Sequence, residues 1–256
     1  PPSLPLFEEA RYDIRYGILG AIGALRFSAR GLVTAPDGSR VVHIQGSGEG
    51  AVLGFGGMQG RIESEFDPGT RAPRRWSALR LREGQKDAEG TMDTAARGKG
   101  GTLLLERLKP GQPLARQSVA FTIPTSDPLS LLWRLRMAPP ALGQTETLQL
   151  LDGQALWRVS VTTSDVGTAP PEGATAAIRL DGELAPIFYD GRGDSDRPTR
   201  RFTLWLSTDV NHLPLRLEVP IGLADVVMTL AEARRLPSTA QTADQPIDPV
   251  PGARNL

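Results

Sequence analysis

Few residues of this chain have the types and spacing that catalysis requires. There are two histidines, His43 and His212. His43 alternates with Val42 and Ile44, which places it on the opposite face of an extended strand. His212 closes the turn-like run Asp209-Val210-Asn211-His212. A histidine base needs a nucleophile and an orienting carboxylate beside it, and no nucleophile motif of the G-x-S-x-G kind occurs. Glu63 and Glu65 lie two apart and share a strand face, as a general acid–base pair could. Alternating charge is also the ordinary exterior of a sheet. Asp190, Asp194 and Asp196 crowd the segment Asp190-Gly191-Arg192-Gly193-Asp194-Ser195-Asp196. Calcium takes oxygen ligands at such spacing, but the EF-hand order and its closing Glu are missing, so the segment reads as a solvated hairpin loop. The chain has no cysteine, which excludes thiolate nucleophiles, disulfides and Cys-ligated metals. These residues imply no catalytic centre, no metal site and no cofactor.

Glycines at 46, 48, 50, 54, 56, 57 and 60 form a second cluster. Gly54-Phe55-Gly56-Gly57-Met58-Gln59-Gly60 contains G-x-G-x-x-x-G, but a dinucleotide site needs a βαβ context and a downstream acid. Here strand-like runs flank it on both sides. Arg97-Gly98-Lys99-Gly100-Gly101-Thr102 fails the phosphate-loop spacing. The cluster reads instead as bulges, a hairpin or a bend in a sheet. In a functional version Phe55 and Met58 form a rim over a cavity.

The elements that must position these residues are strands. Tyr12, Ile14 and Tyr16 alternate with Arg11, Asp13 and Arg15. Leu25, Phe27 and Ala29 alternate with Arg26, Ser28 and Arg30, and Ile62, Ser64 and Phe66 with Arg61, Glu63 and Glu65. Period two is the signature of half-buried strands, and short Gly-, Asp- and Pro-rich gaps between them predict an antiparallel meander. Near the end, Leu213-Pro214 closes a turn. Leu215 and Leu217 are then expected in the core, with Arg216 and Glu218 outside. Trp205 is out of phase with Leu204 and Leu206, so that strand is apolar on both faces. One segment breaks the pattern. Ser126 or Asp127 can cap a helix, Pro128 suits its first turn, and Pro139-Pro140 stops it. One helix inside Asp127–Met137 is expected, with Leu129, Leu132, Trp133 and Met137 on its apolar face.

The expected fold is therefore all-β: a long antiparallel meander forming a curved sheet or half-open barrel, with one short covering helix. Residues 1–236 form a single domain. Residues 237–256, rich in Pro, Ala and Asp, form a disordered tail. Lys+Arg and Asp+Glu both number 29, so the net charge is zero, which argues against nucleic acid and against an anionic membrane surface as partners. No apolar run reaches the ~20 residues of a membrane span. The chain opens on Pro1, for which a cleaved secretory leader or a trimmed start would equally account.

Four pieces of this sequence carry a resemblance. They are Glu9-Ala10-Arg11-Tyr12-Asp13-Ile14-Arg15-Tyr16-Gly17, Arg61-Ile62-Glu63-Ser64-Glu65-Phe66-Asp67-Pro68, Asp127-Pro128-Leu129-Ser130-Leu131-Leu132-Trp133, and Thr203-Leu204-Trp205-Leu206-Ser207-Thr208-Asp209 with Leu213-Pro214-Leu215-Arg216-Leu217-Glu218. In that order and spacing they resemble the bacterial envelope family called domain of unknown function 3108. The Gly46–Gly60 stretch departs from the family's aromatic-rich segment. The resemblance implies export, to the periplasm or the outer membrane, and transfers no catalytic residue. The curved sheet with a helix is also similar to periplasmic carriers of lipids and lipoproteins. The expectation is a non-enzymatic envelope protein that binds an apolar ligand, a lipoprotein or a partner protein in the concavity of the sheet, with Trp133, Trp205, Phe55 and Met58 as binding residues. The alternatives are a hydrolase of envelope polymers and a structural or adhesive module with no cavity.

Overall fold

In a computed structural model of the chain, the described residues are 7–17, 20–35, 38–51, 57–70, 72–82, 85–94, 101–107, 115–121, 125–152, 155–171, 173, 175–188, 191–222 and 224–235. Among them, fourteen strands and one helix follow one another. The first eight strands are β1 (Phe7–Tyr16), β2 (Ala21–Thr34), β3 (Arg40–Ala51), β4 (Gly57–Phe66), β5 (Pro73–Arg82), β6 (Gln85–Thr94), β7 (Gly101–Arg107) and β8 (Ala115–Phe121). Helix α1 (Pro128–Met137) separates them from β9 (Thr145–Leu151), β10 (Leu156–Val166), β11 (Ala177–Ile187), β12 (Arg200–Ser207), β13 (Pro214–Ile221) and β14 (Ala224–Arg235). The predicted tail, residues 237–256, lies outside the described residues.

All the strands join one antiparallel sheet in which each pairs with the next in sequence, except β8 with β9, and β1 also pairs with β14. The two edges are β8 and β9, the strands on either side of α1. They do not pair with each other, so the meander is a barrel left open where the helix is inserted. Ser126 covers part of the β9 edge: its N–H donates to the Gln149 carbonyl (2.9 Å) and its carbonyl accepts from Leu151 N–H (2.8 Å).

The curvature follows from what the helix touches. Leu129 and Trp133 pack with Ala29, Val42, Ile44 and Phe66 of β2–β4. Leu131 and Leu135 pack with Val159, Val161, Leu180, Leu204 and Leu206 of β10–β12. Strands β3 and β10 are seven steps apart in the sheet order, or ~34 Å along a flat sheet at ~4.8 Å per step. A helix only ~10–12 Å thick can reach both only if the sheet wraps around it. The single apolar stripe expected from the sequence is thus two. Leu131 and Leu135 are buried as well as Leu129 and Trp133, because α1 has a wall on each side.

The inner face of the β2–β4 wall is thinned by glycine. Gly46 and Gly48 continue the inward phase of Val42 and Ile44 along β3, and Phe27 and Leu25 lie opposite them. A Cβ at Gly46 would stand 2.9 Å from the Phe27 ring, and one at Gly48 2.3 Å from the Leu25 side chain. These glycines let two large side chains lie flat across the strand. The β3–β4 register runs unbroken from Val42–Phe66 to Ala51–Gly57, so no bulge interrupts that ladder. The register slips on β2 instead, between Ala29 and Leu32, where Gly31 has φ +64°.

Strand β12 is buried on both faces. Leu204 and Leu206 join the core, while Trp205 faces the convex side, where the Arg179 guanidinium lies 5.8 Å from its ring centroid. Arg216, expected outside and exposed, is opposite Trp205 on that same face but buried. Its guanidinium donates to Glu218 (2.7 Å) and to the Pro171 carbonyl (3.1 Å), which draws the β10–β11 connection onto the convex side. Leu217 turns to the core as expected. Arg216→Ala should therefore cost about 1–3 kcal/mol, because it removes charge-assisted bonds and strands a shielded carbonyl. Leu217→Ala should cost about 2 kcal/mol or more. Urea denaturation of both variants checks this; a loss well under ~1 kcal/mol for Arg216→Ala would place that side chain in solvent.

Candidate functional site

Helix α1 begins on a buried carboxylate. Asp127 Oδ1 accepts from the backbone N–H groups of Leu129 (2.9 Å) and Ser130 (3.0 Å). Its Oδ2 accepts from the Ser64 hydroxyl of β4 (2.8 Å). The Ser130 hydroxyl in turn accepts from Asp127 N–H (3.0 Å), completing a capping box with Ser in place of the usual Glu. One side chain thus starts the helix and ties it to the β2–β4 wall. Burial pushes the Asp127 carboxyl above its ordinary range, against the pull of its donors.

The last turn is held by Arg136, also buried. Its guanidinium makes a two-pronged pair with Glu8 of β1, one N–H···O contact at 3.0 Å. It also donates to the carbonyls of Asn211 (3.0 Å) and His212 (3.2 Å) in the β12–β13 turn. Its carbon centre lies 5.2 Å from the Trp133 ring centroid. The His212 ring returns the contact. With φ +42°, it brings Nδ1 2.6 Å from the Arg136 carbonyl, and since a carbonyl only accepts, Nδ1 carries the hydrogen.

Between these two anchors a cavity of about 30 Å³ separates α1 from β1–β3, room for about one water-sized body. Ala10, Tyr12, Phe27, Ala29, Ile44 and Trp133 form most of its wall, with the Glu8–Arg136 pair at one end. Burial raises the Tyr12 phenol far above its ordinary pKa, so the group stays a neutral hydroxyl; the Arg136 charge opposes this and Glu8 adds to it. Tyr12 meets Phe27 edge-on at 5.5 Å.

Of the binding residues expected from the sequence, Trp133 lines this cavity. Trp205 is on the convex face and is not brought near it. Met58 lies in β4 opposite Gly50, with its side chain outside the described residues, and Phe55 is outside them altogether. Glu8 and Arg136, which also line the cavity, were not among the residues expected there. The signal for Glu8 was its phase: a carboxylate two and four residues before Ala10 and Tyr12 points inward with them. His43 sits among Glu63, Glu65, Arg30 and Arg61; burial lowers its pKa while the two carboxylates pull it up. Glu63 pairs with Arg61 on the convex face. Asp194 is bound by Arg197 (2.6 Å) rather than left in solvent. Among the described residues no group of three or more His, Asp or Glu is placed to hold a metal, and no helix is long and apolar enough to cross a membrane.

The Asp127 anchor has a pH signature. With its carboxyl raised in the folded chain, the native state binds that proton more tightly than the unfolded state does. Its contribution to stability therefore grows as pH falls from above the folded value toward the ordinary ~3.9, and shrinks as pH rises. Asp127→Asn keeps a capping oxygen but removes the titration. The difference in urea-unfolding free energy, variant minus wild type, should rise from pH 4 toward pH 7; a flat difference would mean the carboxyl is not shifted upward.

The chain has the fold of a β-barrel-like protein of domain of unknown function DUF1849 from Brucella abortus, at TM-score 0.56 and 11% identity, over 92% of this chain and 100% of that one. Weaker likenesses are to a protein from Bacteroides fragilis described as exported with a YmcC-like fold (TM-score 0.36, 11% identity, 92% and 98% covered) and to one from Parabacteroides distasonis described as a lipoprotein (TM-score 0.34, 10% identity, 91% and 97% covered). No curated protein matches the chain. Residues 11–231 match the family described as protein of unknown function, DUF3108, and the chain belongs to that family.

Proposed function

We propose that this protein is a non-catalytic binding protein of the bacterial cell envelope, and that it takes an apolar chain into the space between α1 and the β1–β3 wall. The observation that carries this reading is the cavity itself. Its wall is apolar, it lies at the seam between helix and sheet, and it is the place where the two can part without breaking a ladder of backbone hydrogen bonds. The closed volume holds no lipid chain, so α1 swings outward on uptake, pivoting about its last turn, which Arg136 keeps on the β12–β13 turn. Its short length and its packing by side chains alone suit it to a lid. The envelope placement is taken from the export that the resemblance to this family implies; the family match itself names no function.

Titration of the purified, delipidated protein with N-phenyl-1-naphthylamine should give saturable fluorescence enhancement at one site. Leu132→Trp fills the cavity from the helix side at a position that is only half-buried, so the fold tolerates it. It should weaken uptake about tenfold or more, the equivalent of ~1.4 kcal/mol. Trp133→Ala should do the reverse, enlarging the cavity while costing about 3–5 kcal/mol of stability. No saturable uptake, or equal uptake by wild type and a folded Leu132→Trp variant, would overturn the reading.

A further inference from the structure

We infer that the chain taken up ends in a carboxylate, which displaces Glu8 and takes its place on Arg136. The inference rests on the cavity reading above. The Glu8–Arg136 pair forms one end of an otherwise apolar cavity, which is the arrangement that receives a long apolar body with a charged head. The guanidinium does not need Glu8 to stay in position. The carbonyls of Asn211 and His212 hold two of its nitrogens, and the Trp133 ring lies beneath it. Arg136 is therefore held at the end of the cavity by two backbone carbonyls that do not line it.

Glu8 is the exchangeable partner. It stands one residue inside the start of β1, on a side chain with three rotatable bonds, and meets the guanidinium with both carboxylate oxygens. An incoming carboxylate reproduces the same planar fork. The exchange conserves charge in the cavity: one carboxylate leaves for water as another arrives, so no unpaired charge is buried at either end state. The Tyr12 phenol in the same wall is a neutral hydroxyl beside the incoming head. An ester or alcohol of the same chain can fill the apolar part but cannot replace Glu8.

Binding of cis-parinaric acid and of its methyl ester, followed by polyene fluorescence, tests this. The quantity read is the ratio of acid affinity to ester affinity, in wild type and in two variants whose folding is checked by circular dichroism. Glu8→Gln removes the internal competitor and should raise that ratio about tenfold or more, as expected for a buried charge left without its partner. Glu8→Asp keeps the charge but shortens its reach, and should raise the ratio by less; if Glu8→Gln does not fold, this variant decides. The ester should bind all three proteins within about twofold, since apolar burial is unchanged. An unchanged ratio with ester still bound would overturn the carboxylate inference and leave the apolar cavity standing. Failure of both ligands to bind would overturn the two together.

Discussion

A buried carboxylate and a buried guanidinium at the two ends of one short helix decide how this sheet is arranged. Ten residues do not hold a helix in water. Here Asp127 supplies the missing acceptors of the first turn, and Arg136 joins the last turn to β1 and to the β12–β13 turn. Each side chain meets the helix with one set of atoms and a distant strand with another. Removing either would leave a partner buried without its bond, at about 1–3 kcal/mol or more. The apolar residues between them add the bulk of the adhesion, but apolar contact has no direction. The polar anchors fix where along the two walls α1 sits, and with it how tightly the sheet curls.

That division of labour shapes what can move. Within the sheet, each strand from β1 through β8 and from β9 through β14 is linked to its neighbours by backbone hydrogen bonds, as is the β1–β14 seam. Parting any of these breaks a ladder. Among the described residues no ladder joins β8 to β9; α1 lies between them, tied to the β9 edge through Ser126 and to the two walls through its side chains. The soft direction of the molecule is therefore at the helix, and the Glu8–Arg136 pair stands across it.

Much of this was legible in the sequence, and the parts that were not share a cause. Alternation gave the inward phases of β1, β2 and β4, the turn at Leu213-Pro214, and the helix from Asp127 to Met137, because period and capping are local properties. Leu131 and Leu135 were not legible as core, since a second wall reaches the helix only after the sheet has wrapped around. Arg216 read as exposed because a strand's outer face is normally wet; a connection 45 residues away in sequence covers it. The glycines of β3 read as bulges or a bend. Their use, making room for Phe27 and Leu25, depends on the cross-strand register. Of the site, Trp133 was legible from its helical stripe. Glu8 and Arg136 come from opposite parts of the chain, 128 residues apart, and nothing local joins them.

The position of that pair also bears on why an ion pair is present at all. A buried pair between arginine and glutamate is rarely more stable than well-packed apolar residues of the same volume, because desolvation consumes most of the attraction. Arg136 is already satisfied in part by two backbone carbonyls and an aromatic ring, so Glu8 is not needed merely to hold the last turn of α1. What Glu8 adds is neutrality in a small apolar space. Without an anion the guanidinium would draw in water or a solute, and the seam between helix and sheet would stay wet. A glutamate from the beginning of β1 supplies that neutrality with a bond that side-chain rotation alone can undo, whereas an apolar residue in its place would leave the guanidinium without an anion.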